Sequence, residues 1–289
     1  MREAAAIGFY PGEKDALEKE VKKLLTTATP KKAASAKSGA IVGAIVPHAG
    51  YIYSGKTAAA VFSLLRKGQF DSVIILCPNH TGVGEDFSIS IEDWETPLGT
   101  VKNDTELGKE VSGNCKMIAI DDLAHTYEHS AEVQLPFLQT ALENFSIVPI
   151  CISSRLSSLE NCEIIGDAIK MVCEKAKKAG KKILLVASSD FTHLGESYGF
   201  FPPEAKKDPV SWIKKTDRDV IDAILDLDAK KTFELGRKTT VCGIAPIVTL
   251  LFALKGVAKK ASLIDYGTSY DVSKDKSMIV GYTGIVFEG

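Results

Sequence analysis

The sequence predicts an α/β protein with a mostly parallel central sheet that is covered by helices on both faces. The first observation is that short, continuously apolar runs such as "AIVGAIV", "SVIILC" and "KKILLVA" alternate with helix-like segments. Strands that are apolar on both faces are typical of parallel sheets buried between helices. The second observation is that no internal repeat and no long linker divides the 289 residues, so we expect a single domain over residues 1–289.

The first elements each have a local reason. A helix is expected in "EKDALEKEVKKLLTTA", because Leu17, Val21, Leu24 and Leu25 lie on one helical face. A loose linker, "TPKKAASAKSG", then leads to the strand "AIVGAIV", which should stop at Pro47 because proline cannot donate to a ladder. The helix "KTAAAVFSLLRKG" and the strand "SVIILC" follow.

The rest of the chain continues this alternation after one interruption. The stretch "DFSISIEDWETPLGTVKND" alternates and turns, which indicates an antiparallel excursion. Beyond it we expect the helix "EHSAEVQLPFLQTALEN", the strand "FSIVPICIS", a helix over 157–179, the strand "KKILLVASSD", two helices within 211–236, an apolar helix after Cys242, and two terminal strands, "ASLIDYGTS" and "SMIVGYTGIVFEG".

The composition argues against several classes of partner. Lys and Arg number 35 against 37 Asp and Glu, a net charge of −2, so we expect no nucleic acid and no anionic membrane as partner. The longest apolar stretch, 244–258, contains Pro246 and Lys255 and falls short of the roughly 20 apolar residues that a membrane span needs. The amino terminus lacks the apolar core of a signal peptide, and the six cysteines form no CxxC pair; both features predict a reducing, cytoplasmic location.

Three of the five histidines follow directly on predicted buried strands. His48 follows "AIVGAIVP", His80 follows "SVIILCPN", and Asp190 and His193 follow "KKILLVASS". Because ligands of open parallel sheets bind at the carboxyl ends of the strands, we expect these side chains at one edge. A single histidine there is more often a loop residue bonded to a carbonyl group, but the joint pattern favours a shared metal or acid–base site.

Two further stretches carry candidate residues, each with a structural alternative. His129 and Glu132 stand three apart and would share one face of a helix; a surface pair is the alternative, and Glu128 would then favour the helix amino terminus. Cys242 precedes Gly243 and the apolar helix, where the helix dipole favours a thiolate that binds metals. A small thiol packed against the sheet explains it equally well.

Six ordered segments resemble the Memo family, whose prokaryotic members are also labelled protein B of the AmmeMemoRadiSam system. The segments are "GFYPG", "VPHAGYIYSG", "CPNHTG", "EHSAEVQLPFL", "SSDFTHLG" and "VCG", and the likeness runs nearly end to end. That family is similar in fold to the class III extradiol dioxygenases, which hold non-haem iron at the carboxyl ends of their strands. The resemblance therefore implies an extradiol dioxygenase-like fold here.

The resemblance also implies a metal site and its residues. The positions that match family metal ligands are His48, His80 and Cys242, and those that match catalytic or cleft residues are His129, as a proton shuttle, His193 and Asp190. Asp190 or His193 is the alternative to Cys242 as third ligand. A thiolate ligand shifts the metal preference towards copper(I), zinc or thiolate-bound iron.

Three functions follow as hypotheses. The first is a metal-dependent redox or oxygen-handling protein, a non-haem oxidoreductase that uses iron (Fe²⁺) or copper. The second is a non-catalytic module that binds a peptide or a protein partner, such as another member of the AmmeMemoRadiSam system, in the same cleft. The third is a zinc-dependent hydrolase, because zinc with an open coordination position activates water. We expect a small molecule or a peptide as the ligand of the cleft.

Overall fold

The computed structural model describes residues 1–28, 40–153 and 157–289, and the predicted linker at 29–39 lies outside these ranges. The strands within them are β1 (Ile41–Val46), β2 (Ser72–Cys77), β3 (Phe87–Ile89), β4 (Trp94–Thr96), β5 (Gly99–Asn103), β6 (Ala119–Ile120), β7 (Ser146–Ile152), β8 (Ile183–Ser188), β9 (His193–Gly195), β10 (Lys260–Thr268) and β11 (Met278–Glu288). The helices are α1 (Lys14–Thr27), α2 (Tyr51–Phe62), α3 (Thr105–Asn114), α4 (Leu135–Ala141), α5 (Leu159–Lys178), α6 (Pro209–Leu225), α7 (Ala229–Gly236), α8 (Ile244–Ala253) and α9 (Tyr270–Ser273).

The centre of the sheet is parallel and its margins are antiparallel. Strands β1, β8, β2 and β7 lie side by side in that order, and all three pairings are parallel. On one side β11 and β10 add antiparallel strands, and on the other side β3 pairs antiparallel with β7. This mixed, mostly parallel sheet confirms the predicted fold class, a single α/β domain.

Alternate residues of the central strands enter two separate cores. On β2, Ile74 and Leu76 pack into one core with helices α3, α5 and α8, whereas Val73 and Ile75 pack into the other with α1, α2 and α4. All four side chains are inaccessible to solvent. Because successive side chains of a strand point to opposite faces, helices on both sides explain why these strands are continuously apolar.

The predicted antiparallel excursion is present, since β4 and β5 form an antiparallel pair. Helix α2 begins at Tyr51, earlier than the predicted start at Lys56.

Among the described residues, no helix combines the length and the apolar character needed to cross a membrane. All six cysteines are present as thiols.

The predicted helix over "EHSAEVQLPFLQTALEN" is the main disagreement. It begins only at Leu135, after a short 3-10 turn at Glu132–Gln134, and His129 precedes both. Pro136 explains the late start, because proline is tolerated in the first turn of a helix but not in its interior. His129 and Glu132 therefore do not share a helical face, and the expectation based on that face was wrong.

Candidate metal centre

Strands β1 and β8 end side by side and place the loops that follow them together. Val46 lies opposite Ser188 in this pair, so His48 and Asp190, two residues further along each chain, are neighbours. The backbone N–H groups of His48 and Ala49 donate to Oδ1 of Asp190 at 2.8 and 3.2 Å. Parallel register thus assembles this part of the site at the carboxyl edge of the sheet.

Three imidazoles meet at this edge. The ring centroids of His48, His80 and His129 lie 5.0 to 5.4 Å apart. One ring nitrogen from each lies within 4.8 Å of the other two, which is a spacing that can hold a metal ion. Nitrogen ligands at about 2.0 to 2.1 Å from a tetrahedral ion lie about 3.4 Å from one another, so a small inward movement of the rings completes such a site.

A network of buried side chains fixes the tautomer of His48. The Ser188 hydroxyl donates its single proton to the Ser130 carbonyl group at 2.7 Å and accepts from the Gln134 amide at 2.9 Å. Nδ1 of His48, 2.9 Å from the same hydroxyl oxygen, must therefore be the donor. Burial lowers the pKa of His48 well below 6.5, so the ring is neutral and Nε2 keeps a lone pair for a metal.

A buried carboxylate fixes His80. Its backbone N–H donates to Oε2 of Glu128 at 2.6 Å, and its Nδ1 lies 3.0 Å from Oε1 of the same side chain. Burial opposes charge on both groups. The hydrogen bond with Cys242, followed by that with Glu128, nevertheless raises the pKa of His80 to about 11, and the hydrogen bond from His80 lowers the pKa of Glu128 to about 2. A carboxylate on Nδ1 directs Nε2 into the site, as is common for metal-binding histidines.

His129 is held less tightly. Its Nδ1 lies 3.5 Å from Oε1 of Glu128, and its ring stacks on Phe9 with centroids 4.2 Å apart. Burial lowers the pKa of His129 to about 4, so this imidazole is also neutral at physiological pH. All three rings can therefore offer nitrogen lone pairs to an ion, with His80 first releasing a proton.

The amino-terminal segment, residues 2–10, forms the wall that carries Phe9. Arg2 and Glu132 form a buried ion pair at 2.5 Å that pins the start of this segment. Glu132 also accepts hydrogen bonds from two backbone N–H groups of the segment at 2.9 and 3.0 Å. The contact of Phe9 with His129 thus depends on a carboxylate that lies outside the histidine cluster.

Cys242 lies against the same cluster. Its Sγ is 3.3 Å from Nε2 of His48 and 3.5 Å from the carbonyl oxygen of Asp190. The turn that places it requires glycine at the next position, because a Cβ on Gly243 would come within 2.5 Å of the Ser189 side chain. The thiol therefore lies beside Nε2 of His48, the ring nitrogen that carries no proton in this tautomer.

Asp190 and His193 line the space in front of the histidines. Asp190 is 4% exposed, and burial raises its pKa although nearby His193 and the two backbone N–H groups oppose the rise. Nδ1 of His193 lies 3.0 and 3.2 Å from the carbonyl oxygens of Phe191 and Thr240. Two carbonyl acceptors on one nitrogen require that this nitrogen carry a proton, so Nε2 is the ring nitrogen of His193 that is left for a ligand.

Five of the six sequence-predicted site residues thus line one cleft, and the sixth, Cys242, contacts His48 beside it; their roles remain predictions. The residues that sequence reasoning missed are Ser188, Phe9 and the carboxylate of Glu128, which had been assigned only to a helix terminus. Glu128 stands directly before His129, which was the one available signal. Nothing in the local sequence marks Ser188 or Phe9 as neighbours of histidines.

The cleft in front of the three imidazoles has a volume of about 440 Å³. Its lining residues are mainly aromatic, apolar and titratable, among them Phe9, Tyr53, Asp190, His193, Tyr198, Asp275, Met278, Val280 and Tyr282. This size lies within the usual range of small-molecule sites. The fold and this edge therefore define an α/β protein with a candidate metal centre at the base of a ligand-sized cleft.

Comparison with known proteins gives the family. The chain matches the Memo family, described as Memo-like protein, over residues 2–286, and it belongs to that family. It is 38% identical to a MEMO1 family protein of Methanosarcina barkeri over 100% of both chains, and 36% identical to one of Nitrosopumilus maritimus over 96% of both. A solved structure of an uncharacterised protein from Escherichia coli K12 shares the fold, with a TM-score of 0.50 and 13% identity over 84% of this chain and 99% of that one.

Proposed function

We propose that this Memo-family protein binds a redox-active metal ion, iron or copper, at the three-histidine edge and acts in redox or oxygen-handling chemistry. The observation that carries the proposal is the approach of His48, His80 and His129 to within 4.8 Å at their ring nitrogens. Nδ1 of His48 is bonded to Ser188 and Nδ1 of His80 to Glu128, which leaves Nε2 of each ring for an ion once His80 has released a proton. Neutral imidazole suits iron, copper and zinc alike.

Cys242 is the further candidate ligand. Its sulfur lies 3.3 Å from Nε2 of His48, close enough to bind the same ion after small movements. A thiolate beside two or three imidazoles favours copper or thiolate-bound iron over hard cations such as Mg²⁺. In this proposal, His48 and His80 are common to both ligand sets, and the third position belongs to His129 or to Cys242.

The bound metal would supply one-electron chemistry, and the protein side chains would supply the rest. His193 has its Nδ1 proton committed to backbone carbonyl groups, so its Nε2 would accept a proton from a ligand in the cleft. Asp190 positions the backbone of His48 through its two hydrogen bonds. The stacking of Phe9 on His129 would keep water from that side of the ion.

Metal analysis of anaerobically purified protein tests the proposal. We expect about one equivalent of iron or copper per chain, and loss of that metal in His48→Ala and His80→Ala. The matched control is His193→Ala, which removes an imidazole from the same cleft but not from the three-histidine group. Thermal denaturation of each variant checks that it is folded.

Each result has a defined meaning. His129→Ala and Cys242→Ala identify the third ligand, because only the true ligand should lower the metal content. Zinc as the only metal, with ester or amide hydrolysis, would replace the redox proposal by a hydrolase. Equal metal content in the wild type and in all four ligand variants would refute the metal site itself.

A further inference from the structure

We propose that the outer part of the cleft binds a positively charged group of the ligand, an ammonium or a guanidinium. The inference rests on the proposed function only in taking this cleft as the ligand site. It does not require the metal, because the residues that carry it are Asp190 and three tyrosines rather than the histidines. It concerns the class of molecule that enters, which the metal centre alone does not determine.

The first residue that supports this inference is Asp190. It is 4% exposed and lines the cleft. Within the part of the chain that the structure describes, hydrogen bonds reach only its Oδ1, from the N–H groups of His48 and Ala49. Oδ2 is thus left to the cleft. A carboxylate oxygen that receives no hydrogen bond from the protein can accept one from the donors of a ligand.

Three tyrosines share the cleft with this carboxylate. Tyr53, Tyr198 and Tyr282 line the cleft, and Tyr198 packs edge-on against His193 with centroids 5.1 Å apart. Burial, followed by the nearby charge of Asp190, raises the pKa of both Tyr198 and Tyr282, so both phenols remain neutral. Aromatic faces attract ammonium and guanidinium groups, and the hydroxyl oxygens can accept their protons.

The remaining charges of the cleft point the same way. Among its described lining residues none is Lys or Arg, and a second carboxylate, Asp275, lies at the rim. An anionic group in the outer cleft would meet two carboxylates, those of Asp190 and Asp275, and the imidazole of His193 is the basic side chain beside them. A cation would meet a partner.

Three probes of nearly equal size test the inference: benzylamine, benzyl alcohol and benzoate. Their dissociation constants are measured by NMR titration at pH 7, on chelator-treated protein and on zinc-loaded protein. We expect benzylamine to bind at least about tenfold tighter than the other two in the chelator-treated form, with a preference that weakens as salt increases. The metal-free form is decisive, because an amine can also bind directly to an ion.

Two variants assign the preference to residues. Asp190→Asn keeps an acceptor for the two N–H groups, so the fold should survive, and the amine preference should disappear. Asp275→Asn removes the rim carboxylate and should lower the preference much less than Asp190→Asn does. Tyr198→Ala, at a position that is 38% exposed, should weaken the binding of benzylamine several-fold without changing the binding of benzyl alcohol.

Several results would overturn the inference. These are benzoate binding as tightly as benzylamine, no binding of any probe to either form, or an unchanged amine preference in Asp190→Asn. A preference lost in Asp275→Asn but kept in Asp190→Asn would also overturn it. Failure of metal binding would refute the proposed function and leave the metal-free titration valid, so the two failures are distinguishable.

Discussion

Asp217 provides a prediction whose size follows from the structure. It lies on α6, is inaccessible to solvent, and accepts hydrogen bonds from the Thr192 N–H at 3.1 Å and the Tyr266 hydroxyl at 2.7 Å. Burial raises the pKa of Asp217 from 3.8 to about 6 although these hydrogen bonds oppose the rise. A rise of about two pKa units, at 1.36 kcal/mol each, corresponds to about 3 kcal/mol.

The direction of the effect follows from proton binding. Between pH 4 and pH 6 the folded protein holds this proton while the unfolded chain has lost it, so the free energy of unfolding falls as the pH rises. Above about pH 6 the full cost of the buried charge is present. Asp217→Asn has no proton to lose at this position. Its free energy of unfolding, relative to that of the wild type, should therefore rise by about 3 kcal/mol as the pH goes from 3.5 to 7.5.

Urea unfolding followed by circular dichroism at a series of pH values measures this difference. A chelator in every sample prevents metal binding from adding to the stability. The free energies of unfolding of the wild type and of Asp217→Asn are subtracted at each pH. This removes the contributions of other titrating groups and any change in hydrogen bonding that does not depend on pH. Tyr266→Phe, which removes a donor to the charged form, should extend the fall in the free energy of unfolding to higher pH and make its total larger. The reasoning is refuted if the difference in free energy of unfolding between Asp217→Asn and the wild type changes by less than about 0.5 kcal/mol between pH 3.5 and pH 7.5.

Three other substitutions give contrasting results. Glu132→Gln breaks a buried ion pair and should cost about 3 kcal/mol or more in urea unfolding, whereas the same change at exposed Glu18 should have no measurable effect. Gly243→Ala should lower stability by at least about 2 kcal/mol because its Cβ meets backbone and side-chain atoms, whereas Gly113→Ala, with open space on α3, should raise it slightly. Ser188→Ala removes the acceptor that fixes the first histidine ligand, and competitive chelation should show metal binding weakened by about tenfold.

The strand ends were predictable from the sequence, and the neighbours of each ring were not. His48 and His80 follow apolar runs that stop at a proline, and parallel strands deliver such residues to one edge whatever the details of packing. The environment of His129 depends on Pro136, which delays the helix, and on a carboxylate that turns towards His80. Side-chain direction in an irregular loop is set by tertiary contacts, which no local periodicity encodes.

The ion pair between Arg2 and Glu132 joins positions that are 130 residues apart. While the chain is being synthesised, Arg2 lacks this carboxylate partner until Glu132 has emerged. Closing so long a loop carries an entropic cost that short-range contacts avoid. This ion pair therefore cannot help to hold Phe9 against His129 until residue 132 has been synthesised.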